Sequence, residues 1–320
     1  MATETVEALP VRTRPGAAAR TSSGRRRQRL EPYLFLAPYA ILFGLFVALP
    51  AILGLWISLH NWDQFLADKP WVGLKNYTDL VRPGSPQAAP FWQSMLATGK
   101  FVVFSVPFLL ALPLGVALLL NRRFCGRNVF RALYFAPYVL GVVVVGVLWR
   151  FLLDPGVGLI NAIAKQLGFA GDTPWITGLP WAWVSLVGIT VWWTLGFNAA
   201  IYLAGLQDVS RELYDAAEVD GATAWHKFRH VTLPGLRPVM LLIVISTVLA
   251  SANMFGQAFL ITQGAPGNET RTAIMYIAQE GFYRFHLGSA AAMSYVLSLF
   301  LMALSVLIFW MFRRGQEDAR

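Results

Sequence analysis

The stretch Arg211-Glu-Leu-Tyr-Asp215-Ala-Ala-Glu218-Val-Asp220-Gly221-Ala-Thr-Ala-Trp-His-Lys-Phe228-Arg-His-Val-Thr-Leu-Pro234 is a polar interruption between two apolar segments. On each side the chain is apolar for more than twenty residues, which is long enough to cross a hydrocarbon core of about 30 Å. Five of the 17 acidic residues fall between Asp208 and Asp220, and none lies in the apolar segments around them. The stretch therefore separates two candidate membrane spans.

Local signals predict two short helices joined by a break. Ser210 can cap the first helix, and Glu212 and Asp215 lie in early turns, where the helix dipole favours negative charge. Gly221 permits the left-handed residue that ends this helix, and Pro234 is expected to close the second. These signals alone leave a solvated loop between two spans as the alternative.

The spacing of the stretch resembles the EAA signature of the permease subunits of bacterial ABC importers. The matching residues are Asp215, Ala216, Ala217, Asp220, Gly221, Ala222, Phe228, Leu233, Pro234 and Pro238. In that family the loop forms the coupling helix that docks into a groove on the cytoplasmic ATPase subunit. The resemblance implies that the coupling contacts are made by Asp215, Ala216, Ala217, Glu218, Asp220, Gly221, Phe228 and Pro234. Asp215 departs from the pattern, since the family usually has Glu there, which carries the same charge on a longer side chain.

Composition places the chain among membrane proteins. Hydrophobic residues make up 56% of its 320 residues and charged residues only 13%, which is too apolar for an ordinary soluble domain. The net charge of +9 does not indicate nucleic-acid binding, because the basic residues lie between apolar segments rather than among stacking aromatics. The single cysteine, Cys125, excludes an internal disulfide and a Cys-rich metal site.

Six apolar segments predict an all-α polytopic membrane protein with six transmembrane helices. They lie near 33–59, 98–121, 129–152, 181–206, 236–262 and 286–312, and each supplies the roughly 20 residues that a membrane helix needs. Several contain proline, for instance Pro107 and Pro137, which neighbouring helices can accommodate. Residues 1–32 form an Arg-rich tail that we expect to be disordered. The apolar segment after it is too long for a signal peptide, so we expect a retained first span.

The distribution of Lys and Arg predicts the orientation of these spans. One side carries 18 basic residues: seven in the tail, four in 121–131, four in 207–237 and three after residue 312. The three loops on the other side carry six together. We therefore expect both termini and the 207–237 loop to lie in the cytoplasm. An ATPase partner would be on that side.

Smaller patterns extend the resemblance to importer permeases of the sugar type (the maltose/glycerol-phosphate-like family). They are Trp71-Val-Gly-Leu-Lys-Asn-Tyr77, Phe130-Arg-Ala-Leu-Tyr134 leading to Pro137, and Leu152-Leu-Asp-Pro155 with Gly158-Leu-Ile-Asn161. The resemblance implies a type I importer permease with a MetI-like core. Its expected divisions are the tail 1–32, a first helix and external loop 33–91, the core 92–314 with its coupling loop 207–235, and a short tail 315–320.

No Asp or Glu occurs inside the six apolar segments, which disfavours an ion-coupled secondary transporter and favours an uncharged solute. Uncharged polar residues recur at helical spacing in the fourth and fifth segments. Of these and their neighbours, the candidate path residues are Asn198, Tyr202, Ser251, Asn253 and Gln257. Asn253 and Gln257 lie four apart, which predicts that both amides point the same way. The alternative is that such residues only join neighbouring helices by hydrogen bonds.

The sequence contains no Gly-x-x-x-x-Gly-Lys-Ser/Thr loop, so we expect ATP and Mg²⁺ to be bound by partner subunits and no cofactor by this chain. The resemblance implies a homologous second permease, two ATPase subunits and an extracytoplasmic solute-binding protein, assembled in the bacterial cell membrane. The predicted function is therefore half of the translocation path for a sugar, an oligosaccharide or a polyol-like solute. Besides the ion-coupled carrier, a membrane enzyme or scaffold is the remaining alternative, disfavoured because no acid/base or nucleophile constellation faces the spans.

Overall fold

The structure is a computed structural model that describes residues 35–122 and 124–317, with side chains described up to Arg314. The expected tail, 1–32, lies outside the described residues. The described residues form helices and turns and contain no strand. Their backbone bridges are isolated pairs, His60 with Trp71 and Asp63 with His286. The expected all-α class is confirmed.

The chain divides into two compact units, one ending at Gly54 and one beginning at Leu55. The first contains most of helix α1, Phe35–Ser58. The helices that follow are α2 Lys75–Val81, α3 Ala88–Asn121, α4 Arg127–Val139, α5 Val142–Leu152, α6 Leu159–Gln166, α7 Trp181–Asp208, α8 Arg211–Val219, α9 Ala224–Gly235, α10 Arg237–Ala252, α11 Ala273–Ala278 and α12 Leu287–Glu317.

Four helices of the described chain, α1, α3, α7 and α12, are long and apolar enough to cross a membrane singly. Two pairs of helices are long and apolar enough only when taken together, and each pair is bent: α4 and α5 meet at 94°, and α9 and α10 meet at 69°. The six expected spans are therefore present when each pair counts as one. The third span is not a single helix, because its chain turns at Leu140–Gly141, shortly after Pro137.

The fifth span differs from the expected uninterrupted helix over 236–262. Helix α10 ends at Ala252, and the chain resumes a helical path in the π-helical turn Ala258–Thr262. The hydroxyl of Thr272 donates to the carbonyl oxygen of Met254 at 2.7 Å. This bond satisfies a backbone group that the break leaves free, as an irregular segment at membrane depth requires.

The segment after this break was expected to be an external loop, but part of it is buried. Glu280 is 1% exposed and Arg271 is 8% exposed. The Glu280 carboxylate accepts from Arg284 Nη1 at 3.0 Å and lies 2.8 Å from His286 Nδ1. The Arg271 guanidinium lies 4.6 Å from the Tyr276 ring centroid. Each of these buried charges thus has a partner within the protein.

Helix α7 packs against both α3 and α4 and so lies inside the second unit. Its approach to α4 is close at Gly196, where an added Cβ would overlap the carbonyl oxygen of Tyr134. Lipid tails are as apolar as the side chains, so helices in a membrane associate through such close contacts rather than through the hydrophobic effect. Gly196 therefore sets the distance between the third and fourth spans.

Candidate functional site

The polar interruption folds into two helices, α8 and α9, as predicted. Ser210 Oγ accepts from the backbone N–H of Glu212 at 3.2 Å, and Thr223 Oγ1 accepts from that of His226 at 3.4 Å, so each helix has a side-chain cap. Gly221 lies between them with a φ of +73°, a conformation that costs a side chain energy. Pro234 lies within α9, one residue before its end, and its closing role stays a prediction.

The two helices are held together by polar contacts. The Tyr214 hydroxyl lies 2.9 Å from Thr232 Oγ1, and Lys227 Nζ lies 2.7 Å from Glu218 Oε2. The hydrogen bond and charge of Lys227 hold the pKa of Glu218 below its ordinary value. The pair therefore contributes to stability above the ordinary carboxylate pKa, and this contribution is lost as the pH falls through the lowered value.

The outer surface of this helix pair combines acidic and large apolar side chains. Asp215, Ala216, Asp220, Gly221 and Pro234 are exposed, and Ala217 and Phe228 are partly buried. Leu213, Val219 and Trp225, which the sequence analysis did not single out, are 55%, 89% and 63% exposed. Apolar side chains that remain exposed beside charged ones in a polar segment are typical of a surface that binds another protein.

A cavity of about 340 Å³, lined by both polar and apolar side chains, lies among α3, α4, α7 and α10, with Gln257 from beyond the break. Its polar lining consists of Thr190, Thr194, Asn198, Ser246, Thr247, Ser251 and Gln257, and its aromatic lining of Phe101, Tyr138, Trp193 and Phe197. The rings of Tyr138 and Phe197 stack at 4.6 Å with an interplanar angle of 15°. The cavity therefore offers hydrogen-bonding groups and flat apolar faces together, and no acidic side chain lines it.

Three of the five candidate path residues, Asn198, Ser251 and Gln257, line this cavity. Tyr202 is 1% exposed and belongs to a hydrophobic cluster with Leu236 and Ile243, and Asn253 is not part of the lining. The expectation that Asn253 and Gln257 share a helix face is wrong, because α10 ends at Ala252, before both residues.

Most polar groups of the cavity already have hydrogen-bond partners inside the protein. Asn198 Nδ2 donates to the carbonyl oxygen of Leu109 at 3.1 Å, and Ser105 donates to Ser251 at 3.3 Å. The hydroxyls of Thr190, Thr194 and Ser246 donate to carbonyl oxygens of their own helices. Gln257 makes no side-chain hydrogen bond within the described part of the chain. Its amide is therefore free to bind a solute.

The pattern Leu152–Asn161 forms a tight turn outside the spans. Asp154 accepts from the backbone N–H groups of Gly156 and Val157 at 2.8 and 3.0 Å, and these bonds lower the pKa of its carboxyl group. Asn161 accepts from Trp175 Nε1 at 2.8 Å and donates to the carbonyl oxygen of Thr173. These residues therefore stabilise the conformation of a loop. In the described ranges no cluster of three metal-ligating side chains occurs.

Comparisons with known proteins agree with this architecture. The family model described as "Binding-protein-dependent transport system inner membrane component" matches residues 109–315. The probable ABC transporter permease protein y4oQ of Sinorhizobium fredii is 34% identical over 92% of this chain and 94% of its own length. The trehalose/maltose transport system permease protein MalF of Thermococcus litoralis is 33% identical over 84% of this chain and 88% of its own. A crystal structure of a bacterial ABC transporter that imports the acidic polysaccharide alginate has a TM-score of 0.77 at 22% identity, covering 91% of this chain and 99% of the matched chain; this similarity concerns the fold.

Proposed function

Because this chain belongs to the family of binding-protein-dependent transport system inner membrane components, we propose that it forms half of a translocation path for an uncharged sugar or oligosaccharide. The chain is a multi-pass membrane permease subunit of an ABC importer and is not an enzyme. The solute, the residues that contact it and the orientation in the membrane belong to the proposal.

The cavity supports an uncharged polyhydroxylated solute. Sugar hydroxyls need hydrogen-bond donors and acceptors, which Gln257 supplies, and sugar rings need flat apolar faces, which the aromatic side chains of the lining supply. A charged solute would favour a counter-charge in the lining, and the cavity has none. The relative that transports trehalose and maltose supports the same class of solute.

The exposed surface of α8 and α9 supports docking of an ATPase subunit. This surface carries Asp215 and Asp220 beside the apolar side chains of Leu213, Val219 and Trp225. Helix α9 continues through the bend at Leu236 into α10, and α10 supplies Ser246 and Ser251 to the cavity wall. A movement of the docked helices would therefore be transmitted to the path. This continuity is the observation that carries the proposed mechanism, in which rigid-body movement alternates access to the solute.

The proposed assembly contains a second, homologous permease, two ATPase subunits that bind ATP and Mg²⁺, and a solute-binding protein outside the cell membrane. Both termini and the α8–α9 pair would lie in the cytoplasm, as the distribution of Lys and Arg predicts. With Cys125 replaced by Ser, a cysteine at Ser210 should react with an impermeant reagent only from the cytoplasmic side.

Co-purification from detergent tests the docking surface. We expect the parent chain to retain its ATPase subunits and Val219→Lys to lose most of them, because a charged side chain would enter an apolar contact. Val157→Lys is the matched control, since Val157 is 74% exposed in the loop after α5, on the opposite side of the membrane in the proposed orientation. Equal retention of the ATPase by both variants would contradict docking at this surface.

A further inference from the structure

A cleft of about 460 Å³ lies where the bend between α9 and α10 meets the end of α12. Its walls include Leu233, Met240, Met311 and Phe312, and Arg229 and Arg237 also line it. The two arginines lie on opposite sides of the bend at Leu236, one on α9 and one at the first residue of α10. The cleft thus combines apolar walls with two cationic groups.

Neither guanidinium has an ion-pair partner in the described part of the chain. In the α8–α9 pair, Glu218 is paired with Lys227 rather than with either arginine. Both arginines are exposed residues that line the same cleft, and planar guanidinium groups match the oxygens of carboxylate and phosphate. The cleft is therefore suited to bind an anion that also has an apolar portion.

The surroundings place the cleft at a membrane interface. Near the end of helix α12, the ring of Trp310 lies 3.6 Å from the guanidinium carbon of Arg314, and Trp and Arg near the end of a span are typical of the headgroup level. The part of α12 before this point carries exposed apolar side chains, with Val306 62% and Phe309 52% exposed. In a lipid bound in the cleft, the headgroup would contact the two arginines and an acyl chain would contact the two methionines.

We propose that this cleft binds an anionic phospholipid of the leaflet that faces the α8–α9 pair. Its phosphodiester would contact Arg229 and Arg237 together, and an acyl chain would lie against Met240, Met311 and Phe312. Basic clefts between spans on this side of a membrane bind anionic headgroups through the same combination of charge and apolar contact. A zwitterionic lipid fits less well, because its own ammonium group repels the two arginines.

Such a lipid would act on the element that joins the docking surface to the path. Its headgroup would bridge the two sides of the 69° bend between α9 and α10. It would thereby stabilise the angle between α9, which carries part of the docking surface, and α10, which lines the cavity. The inference rests on the membrane placement in the proposed function, but it concerns a site on this chain that binds neither solute nor ATPase.

The test uses the purified complex in nanodiscs of phosphatidylcholine, with or without phosphatidylglycerol. We expect phosphatidylglycerol to raise the melting temperature of the parent complex and to be retained by the permease in native mass spectrometry. In R229Q/R237Q, most of the temperature shift and most of the retained lipid should be lost. R122Q is the matched control, because Arg122 is an exposed arginine at the end of α3 outside the cleft, and it should behave as the parent.

Two outcomes would overturn the proposal. One is an equal loss of the lipid effect in R122Q and R229Q/R237Q, which would indicate general surface charge. The other is retention of phosphatidylglycerol by R229Q/R237Q together with loss of the ATPase in every lipid, which would assign the arginines to the protein partner instead. Lipid retention is measured without solute or ATP, so a wrong assignment of the solute would leave this result unaffected.

Discussion

At the residue scale, the polar side chains of the cavity differ in whether their hydrogen bonds are already made. The hydroxyls of Thr190, Thr194 and Ser246 bond to carbonyl oxygens of their own helices, and Asn198 bonds to Leu109. Gln257 lines the cavity without such a bond. An amide that is unpaired in a membrane costs several kcal/mol unless water or solute satisfies it, so Gln257 is the side chain that we expect to recognise the solute.

We predict that Gln257→Leu lowers solute uptake per assembled complex while basal ATP hydrolysis stays near that of the parent. Loss of one hydrogen bond to the solute, about 1 kcal/mol, corresponds to roughly a fivefold weaker interaction. Asn253→Leu is the control, because Asn253 Nδ2 already donates to the carbonyl oxygen of Leu249 at 2.8 Å and lies outside the cavity lining. Transport assays on equal amounts of complex decide the matter, and unchanged uptake in Gln257→Leu would remove Gln257 from the path.

The sequence could not reveal this difference between the two amides. Their spacing of four residues predicts one helix face only if the helix is continuous, and α10 ends at Ala252. The break depends on tertiary contacts: Gly256 lies against Val142, and Thr272 bonds to the carbonyl oxygen of Met254. The local sequence pattern contains no signal that predicts either contact.

At the scale of elements, helices with local start and stop signals were predictable. The cap at Ser210 and the positive φ at Gly221 give α8 and the following break as expected. The turn in the third span at Leu140–Gly141 follows Pro137, but the sequence does not mark its position, because apolar composition continues through the turn. The burial of Glu280 was not predictable, because its partners Arg284 and His286 secure it only in the folded chain.

The contact of α4 with α7 at Gly196 gives a test at this scale. We predict that Gly196→Ala lowers the thermal stability of the purified complex, since the new methyl group would overlap the backbone at Tyr134. Overpacking of this kind typically costs about 1–3 kcal/mol. Gly188→Ala, on the same helix with open space around its Cβ position, should melt as the parent does. Equal melting temperatures for the two variants would show that the close approach does not constrain the helices.

The break between α8 and α9 gives a second test. Gly221 has a φ of +73°, whereas proline requires about −65°. Gly221→Pro should therefore change the angle between the two helices, leave membrane insertion intact, and abolish most of the solute-stimulated ATP hydrolysis. Gly221→Asn should keep most of it, because Asn tolerates the left-handed conformation and no atom lies within 4 Å of the Cβ position. Normal stimulated hydrolysis in Gly221→Pro would argue against coupling through this pair.

At the scale of the whole molecule, the proposal joins a docking surface to a solute cavity. The surface on α8 and α9 continues through the bend at Leu236 into α10, which forms part of the cavity wall. Composition and the spacing of the polar stretch were sufficient to predict the membrane class, the number of spans and the family. They were not sufficient to predict which polar residues meet in a cavity, because that depends on the two bent spans and on how α7 packs against α3 and α4.

The most direct test of the central claim is uptake of a labelled oligosaccharide by vesicles that contain the reconstituted complex. We predict that uptake requires ATP inside the vesicle and the solute-binding protein outside it, and that a proton or sodium gradient does not replace ATP. Uptake driven by an ion gradient in the absence of ATP would contradict the assignment and would favour an ion-coupled carrier.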